Sequence, residues 1–525
     1  MLEARIRCPL MATMAKQEES DVRVTSCGEL AEMITEQGVT CRVHGDARTL
    51  VGPQVSLDTR QLSPGALFVG LPGARHDGAE LADQAAAAGA AAALVGHQVA
   101  TDLPCLVVDD AVEGLSALAA GLVALERQRG LTTFAITGSN GKTTTKDLLA
   151  QILESQASTV SPVGNHNNEI GVPLAACAVD DTTRYLVSEM GARAIGDVAR
   201  LCRIVPPTIA TVLNVGTAHL GEFGSRDAIA RAKGEIIEAL PPDGWAVLND
   251  DDPRVAAMAP RTQAHVARWT AQSQTAQAQA GTARPGQASD AELFVAATRI
   301  TTDALQRASF DLVVSHGDVQ STEPVNLRIM GAHQVLNATA AATMAIAAGL
   351  APAEVARALN AATTRSALRM ELHDTAVGAA VIDDSYNANP DSMAAALRSL
   401  AAMGKARRTE NPHARTIAVI GDMGELGDTA THLHEQLGEL AGKLGIDQVI
   451  AVGEHAGAVC RGAQQAGADA RQLAKADVAS SIDLRQGDIV LVKASRSMAM
   501  EHITAQLLAL DSASTEAADK EELPR

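Results

Sequence analysis

The sequence predicts an α/β protein built as three domains, and three observations carry that prediction. A chain of 525 residues exceeds what one core fills and corresponds to about three to four domains. Short apolar runs of strand length alternate with Ala-rich stretches of helical period through most of it. Finally, the run T-G-S-N-G-K-T-T-T at 137–145 sits between an apolar strand-like run at 134–136 and a helix-like segment at 146–154.

In chain order, residues 1–21 carry Arg5 and Arg7 but only 8–10 as an apolar stretch, too short for a secretory signal. They are expected to form a disordered extension, with Met11 or Met14 as alternative starts. Residues 22–128 read as a small α/β domain, with a strand at 66–69, a helix at 81–88, a breaking Gly89 and a strand at 93–95. The central domain, 129–364, opens at the loop. Its strands at 185–187, 209–213 and 246–248 are separated by helix-like stretches, which points to a mainly parallel sheet with flanking helices. Within it, 271–290 (AQSQTAQAQAGTARPGQASD) has almost no large apolar residue and reads as a flexible insertion. Helices at 334–348 and 353–359 lead to a hinge at 363–369. The third domain, 365–511, has strands at 417–420, 448–452 and 488–492 and helices at 429–444 and 498–510, a Rossmann-like rhythm. Residues 512–525 are acidic and expected to be a disordered tail.

Composition narrows the function. Hydrophobic residues are 46% and charged residues 20%, as in a globular protein, and no apolar stretch is long and charge-free enough to span a bilayer. A net charge of −19 with 2% aromatic residues argues against nucleic-acid binding. Seven cysteines without a C-x-x-C pair suggest reduced thiols in a cytoplasmic protein, as core or incidental surface residues.

The 137–145 run has the chemistry of a phosphate-binding loop. Amides of Gly138, Ser139, Asn140 and Gly141 and of the following helix converge on anionic oxygens. Lys142 adds a positive charge, the Thr143 hydroxyl can ligate Mg²⁺, and Thr144 is a further candidate nucleotide contact. A standard loop of this kind places glycine six residues before the lysine; here that residue is Ile136, so the loop is a shortened variant. The alternative is an ordinary strand-to-helix turn whose glycines only supply positive φ. Further polar residues fall at strand ends, where open α/β sheets place ligands. Glu189 has the position of a Mg²⁺-binding carboxylate. His219 either reaches the same crevice or is a packed or capping residue. Asn165, His166, Asn167 and Asn168 form an amide-dense run beyond what turn chemistry needs, and are candidate substrate contacts. On spacing alone, Lys233, flanked by Arg231 and Glu235, reads as a solvated helix-surface lysine.

Together these motifs resemble the Mur ligase superfamily, the ATP-dependent amide ligases that build the peptidoglycan precursor. The resemblance covers about 22–508. It rests on D-T-R-Q-L-S-P-G-A-L-F-V-G-L at 58–71, G-S-N-G-K-T-T-T-K at 138–146, N-H-N-N-E-I-G-V-P-L at 165–174, E-M-G at 189–191 and G-T-A-H-L at 216–220. It continues with A-K-G-E at 232–235, M-G-A-H-Q-V-L-N-A at 330–338, D-D-S-Y-N-A-N-P at 383–390, G-D-M-G-E-L-G at 421–427 and V-K-A-S-R-S-M-A-M-E at 492–501. The last three are similar to the member that joins D-alanyl-D-alanine to UDP-MurNAc-tripeptide.

The resemblance implies roles. ATP would lie on the phosphate loop, with Asn249 and Asn337 toward adenine and ribose and Arg369 and Asp384 added across the hinge; Asp383 is an alternative to Asp384. Thr143 and Glu189 would bind one Mg²⁺ and His219 a second, beside a carbamoylated Lys233. Lys142, Lys233 and His219 would be catalytic. Asp58, Thr59 and Arg60 would meet the UDP-sugar, and Tyr386, Asn387, Lys493, Ser495 and Arg496 the peptide or phosphates. A monomer is implied. Sister ligases, folylpolyglutamate synthase and a non-catalytic nucleotide-binding protein are the alternatives. A GTPase is disfavoured by the shortened loop and the absence of an N-K-x-D run.

Overall fold

The computed structural model describes residues 24–52, 54–73, 76–217, 220–271 and 291–521. The 1–21 extension, His219, residues 272–290 of the insertion and 522–525 of the tail lie outside the described residues. The chain divides into two compact units, Met1–Gly130 with Ala176–Thr183, and Leu131–Ala175 with Arg184–Arg525.

The first unit has strands β1 (Thr25–Ser26), β2 (Arg42–His44), β3 (Leu50–Val51), β4 (Val55–Ser56), β5 (Leu67–Gly70), β6 (Ala92–Val95) and β7 (Cys105–Val107). β1 pairs with β3, and the rest form one sheet in the order β2-β7-β6-β5-β4. Helix α1 (Cys27–Glu36) begins at a capping box of Ser26 and Glu29. Helices α2 (Ala82–Ala87) and α3 (Ala111–Gln128) follow, the latter started by the Asp110 carboxylate accepting from the amides of Val112 and Glu113.

The second unit holds two sheets. Strands β8 (Thr132–Thr137), β9 (Thr159–Val160), β10 (Tyr185–Glu189), β11 (Ile209–Val212), β12 (Trp245–Asn249), β13 (His265–Thr270), β14 (Leu293–Thr302), β15 (Arg307–His316) and β16 (Val319–Met330) form a nine-stranded sheet. Its order is β16-β15-β14-β13-β12-β11-β8-β10-β9, parallel from β9 to β14 and antiparallel beyond. β8 is buried on both faces from its second residue on, as a central parallel strand covered by helices must be. Its neighbours β10 and β11 lie later in the chain on opposite sides, so the crevice at its C-terminal end is the sheet's switch point. Helix α4 (Lys142–Glu154) leaves from there and packs Leu148, Leu149, Ile152 and Leu153 into a core shared with Phe134, Ile136 and helix α5 (Gln334–Ala347). Helix α6 (Pro352–Ala361) starts with Pro352 in its first turn.

The second sheet of this unit contains β17 (Glu371–Asp374), β18 (Ala380–Asp383), β19 (Thr416–Ile420), β20 (Gln448–Ala451), β21 (Asp469–Gln472) and β22 (Ile489–Lys493), ordered β17-β18-β22-β19-β20-β21. All its pairs are parallel except β17 with β18. Helix α7 (Pro390–Arg407) opens with a capping box of Asn389 and Ser392. Helices α8 (Ala430–Lys443), α9 (Ala456–Gln465) and α10 (Glu501–Glu521) complete it.

Two expectations change and one element is new. α4 begins at Lys142 rather than 146, because Gly141, at φ 84°, turns the chain directly into the helix. The long antiparallel ribbon β14 to β16 was not anticipated. α10 runs to Glu521, through part of the segment read as a disordered tail. The described cysteines, Cys27, Cys41, Cys105, Cys177, Cys202 and Cys460, are free thiols; burial pushes Cys202 up to about 12.

Candidate active site

The phosphate loop is held from several sides. The side-chain carbonyl of Asn214, just past β11, accepts from the amides of Ser139 (3.0 Å) and Asn140 (3.0 Å), and the amide of Gly216 donates to Ser139 Oγ at 2.9 Å. A side chain at Gly141 is excluded twice over: its φ is left-handed, and a Cβ there would lie 2.2 Å from Asn337 Oδ1 on α5. Asn337 in turn accepts from Thr145 and donates to Gln334.

Two lysines converge on one oxygen. Lys142 Nζ and Lys233 Nζ each lie 3.0 Å from the Gly138 carbonyl. Lys142 keeps some exposure, whereas Lys233 is 2% exposed. Loss of water, opposed by Glu189 and assisted by Arg369, lowers the Lys142 pKa. Burial first and Lys142 second hold Lys233 well below its ordinary value. The solvated lysine that spacing suggested is thus a buried one. The flanking Glu235 is buried too, capping the helix at Asp197–Ile204 by accepting from the amides of Gly196 and Ala199.

Opposite them, Thr143 Oγ1 donates to Glu189 Oε2 (2.7 Å), and Asn167 Nδ2 donates to Glu189 Oε1 (2.8 Å). From the other sheet, Arg369 Nη2 donates to Thr143 Oγ1 at 2.8 Å, while its guanidinium lies 4.2 Å from the Tyr386 ring centroid. Arg369 Nε is buried with no hydrogen-bond partner among the described residues, a donor left for an anion. Arg369 is bracketed by Leu368 (φ 62°) and Met370 (φ 51°), left-handed non-glycine residues that cost about 1–3 kcal/mol each.

The second sheet brings the C-terminal ends of β18, β22 and β19 to the same place. Lys493 Nζ donates to Asp384 Oδ2 (2.6 Å) and the Asn387 carbonyl (3.0 Å), and Asp384 Oδ1 accepts from the amide of Met370. Lys493 (3% exposed) and Ser495 (7%) are buried rather than ending a strand in solvent. Ser495 Oγ accepts from the amide of Gly424, and Arg496 pairs with Glu501. Direct ties join the sheets: Asn389 Nδ2 donates to Asn140 Oδ1 (2.6 Å), and Asp391 accepts from the amide and hydroxyl of Thr217.

A cavity of about 780 Å³ runs through this arrangement. Its walls include Ser139 to Thr144, Asn165, Asn167, Asn168, Glu189, Lys233, Asn337, Arg369, Asp384, Tyr386, Asn387, Lys493, Ser495 and Arg496. Asn249 is not on the wall; it is 4% exposed, donates to the Leu213 carbonyl and accepts from the Asp251 amide, fixing the strand end from behind. His166 is exposed, with Nδ1 on the Val163 carbonyl. Asp58, Thr59 and Arg60 belong to the first unit, where Asp58 caps a short 3-10 turn at Thr59–Gln61 and pairs with Arg60 at 2.8 Å. Residues the sequence reading did not single out are Asn214, Asn389, Asp391 and His333. His333 lines the cavity, and desolvation lowers its pKa against the opposing pull of Asp384. It stands inside the 330–338 motif, which was the available signal.

The oxygens of Thr143 and Glu189 are the hard donors a Mg²⁺ site requires. Among the described residues there is no group of three or more His, Cys, Asp or Glu that could hold a metal. Mg²⁺ commonly takes one or two protein ligands and completes its shell with phosphates and water.

Comparisons with known proteins identify the family. Family models match at 54–129 (Mur ligase family, catalytic domain), 136–345 (Mur ligase middle domain) and 368–496 (Mur ligase, glutamate ligase domain). The UDP-N-acetylmuramoyl-tripeptide–D-alanyl-D-alanine ligase of Mycobacterium tuberculosis is 39% identical, over 92% of this chain and 97% of that protein. Its namesake in Escherichia coli is 35% identical, over 86% and 93%. A crystal structure of MurF from Acinetobacter baumannii superposes with a TM-score of 0.77 at 30% identity, covering 93% of this chain and all of the other. The chain that carries the shortened phosphate loop, the paired lysines and the two-sheet cavity thus belongs to the Mur ligase family, on its MurF branch.

Proposed function

We propose that this chain joins D-alanyl-D-alanine to UDP-MurNAc-tripeptide at the expense of ATP, supplying the pentapeptide precursor of peptidoglycan. The observation that carries the reading is the single cavity shared by the phosphate loop, Glu189 and the Asp384–Lys493 end of the second sheet. A MurF ligase from Thermotoga maritima, 26% identical with a TM-score of 0.68, was crystallised with ADP, which supports nucleotide at this loop.

In the proposed reaction the tripeptide carboxylate attacks the γ-phosphate, releasing ADP and forming an acyl phosphate. The dipeptide amine then attacks that carbonyl and phosphate leaves. The first step brings two anions together and the second develops negative charge on the carbonyl oxygen and the departing phosphate, so catalysis depends on positioning and on positive charge rather than on a protein nucleophile. Lys142, the loop amides and Arg369 face the phosphates, with Arg369 Nε free to donate. Asn337 and Asp384 would border the nucleoside, and Asn165, Asn167 and Asn168 the first substrate. Mg²⁺ held by Thr143 and Glu189 would offset phosphate charge. Lys233 is the proposed carbamoylation site, since adding CO₂ to an amine needs the neutral form that its burial favours. The carbamate would also replace one of two adjoining cations by an anion. Asp58, Thr59 and Arg60 are proposed to meet the UDP-sugar, and the enzyme to act as a cytoplasmic monomer. No helix of the described residues is long and apolar enough to cross a membrane.

The test is phosphate release with Mg²⁺, omitting ATP, UDP-MurNAc-tripeptide and D-alanyl-D-alanine in turn, with Lys142→Ala as control. A requirement for all three, with a product heavier by the dipeptide, supports the reading. Release with a single amino acid instead would move the chain to a sister ligase, and ATP binding without turnover would end the enzymatic proposal.

A further inference from the structure

The linker between the two sheets of the second unit does not hang free. After α6 it lies along α4, the helix that also carries the phosphate loop. Gln151 grips Thr363 twice, accepting from its amide and donating to its carbonyl, both at 3.0 Å. Glu154 takes both guanidinium nitrogens of Arg365, one at 2.6 Å. Asp147 Oδ2 accepts from Ser366 Oγ at 2.6 Å, and its other oxygen pairs with fully buried Lys146 at 2.9 Å. Three residues on, Arg369 reaches Thr143. Thr143, Asp147, Gln151 and Glu154 are spaced by four, four and three residues, so they form one stripe along about 16 Å of helix.

Beyond the stripe the linker is anchored to the second sheet. The amide of Leu368 donates to Glu371, that of Met370 to Asp384, and that of Tyr386 to the Leu368 carbonyl. The left-handed residues Leu368 and Met370 are themselves the ones held on the second-sheet side, directly after the segment docked on α4. A strained turn keeps its shape only when both flanks are fixed. Release of either flank is then expected to relax the turn and withdraw Arg369 from the phosphate loop.

We propose that Asp147, Gln151 and Glu154 are positioning residues for the ligase reaction: they dock the linker on the phosphate-loop helix and thereby aim Arg369 at Thr143. The inference rests on the ligase reading for its assay only. Lys146 has a related part. Its ammonium neutralises Asp147 and donates to the carbonyls of Pro162 and Gly164, so the segment leading to Asn165–Asn168 is tied to the same stripe.

The test is a charge exchange across the exposed end of the dock, Glu154→Arg, Arg365→Glu and the double variant, with Ser366→Ala as a milder break at the buried end. Each is checked for folding by circular dichroism and assayed well below its melting temperature. Each single exchange is expected to lower kcat about tenfold, with KM for UDP-MurNAc-tripeptide within about twofold of wild type, and the double to recover to within about threefold. A residue that only stabilises the fold would shift melting and leave kcat alone. Folded single variants that keep kcat within about twofold, or a double no better than the worse single, would overturn the proposal. An inactive wild type would instead count against the ligase reading, and melting temperatures and Arg369-dependent nucleotide affinity of the same variants would still judge the dock.

Discussion

Lys233 is buried beside a second ammonium and donates to the same carbonyl oxygen as Lys142. Two cations sharing one acceptor out of water favour loss of a proton from the deeper one. Lys233→Ala is therefore expected to reduce ligase turnover by about two orders of magnitude or more. In ¹³C-bicarbonate the wild type should show a carbamate carbon signal that the variant lacks; its absence from active wild-type enzyme would remove the modification from the mechanism. At Gly141, alanine would have to accept a φ of 84° with its Cβ pressed on Asn337 Oδ1. Gly141→Ala should weaken ADP binding, measured calorimetrically, with a strain cost of about 1–3 kcal/mol. Unchanged affinity would show that the loop can re-form without its left-handed turn.

Among the elements, α8 controls the wall formed by 424–426. His434 on that helix is fully buried, donates through Nδ1 to the Ala430 carbonyl and accepts through Nε2 from the Met423 amide at 2.9 Å. Burial lowers its pKa below 6.5, opposed by the hydrogen bond to the Ala430 carbonyl and by Asp422 and assisted by the stacked His455. The neutral ring is the folded one, so its stabilisation is complete above pH 6.5 and is lost as pH falls through the lower folded value. Urea midpoints should fall more steeply on acidification in wild type than in His434→Gln, whose amide can make both bonds without titrating. Parallel curves would exclude the histidine. How far such features were legible depended on whether they are local. The phosphate loop, α5 and β10 to β12 were legible because their signals are contiguous runs. The ribbon β14 to β16 follows an insertion that broke the strand-helix alternation, so nothing local announced it. Spacing alone put Lys233 in solvent because charged neighbours imply a surface, whereas the motif resemblance put it at the site; a cap such as Glu235, acting on amides some 36 to 39 residues away, cannot be seen in a helical period.

At the scale of the whole molecule, the residues proposed to hold the nucleotide belong to one of two compact units. Calorimetric unfolding is expected to depart from two-state behaviour, as multidomain chains do. Added ADP should raise the transition of the unit Leu131–Ala175 with Arg184–Arg525, by about 2.7 kcal/mol at a hundredfold excess over Kd, and leave the other in place. A single transition that moves as a whole would mean that the units unfold together. The loop itself has a consequence in time. Asn140 is fastened by Asn214, 74 residues away, and by Asn389, 249 residues away. Contacts of that sequence separation close late in folding, and a growing chain releases its C-terminal part last. In pulsed hydrogen exchange the amides of 138–141 should therefore gain protection after those of β8, and protection together with β8 would contradict it. A nascent chain that has not yet released Asn389 lacks one of the two side-chain ties on Asn140, so the loop is completed only once synthesis has passed residue 389.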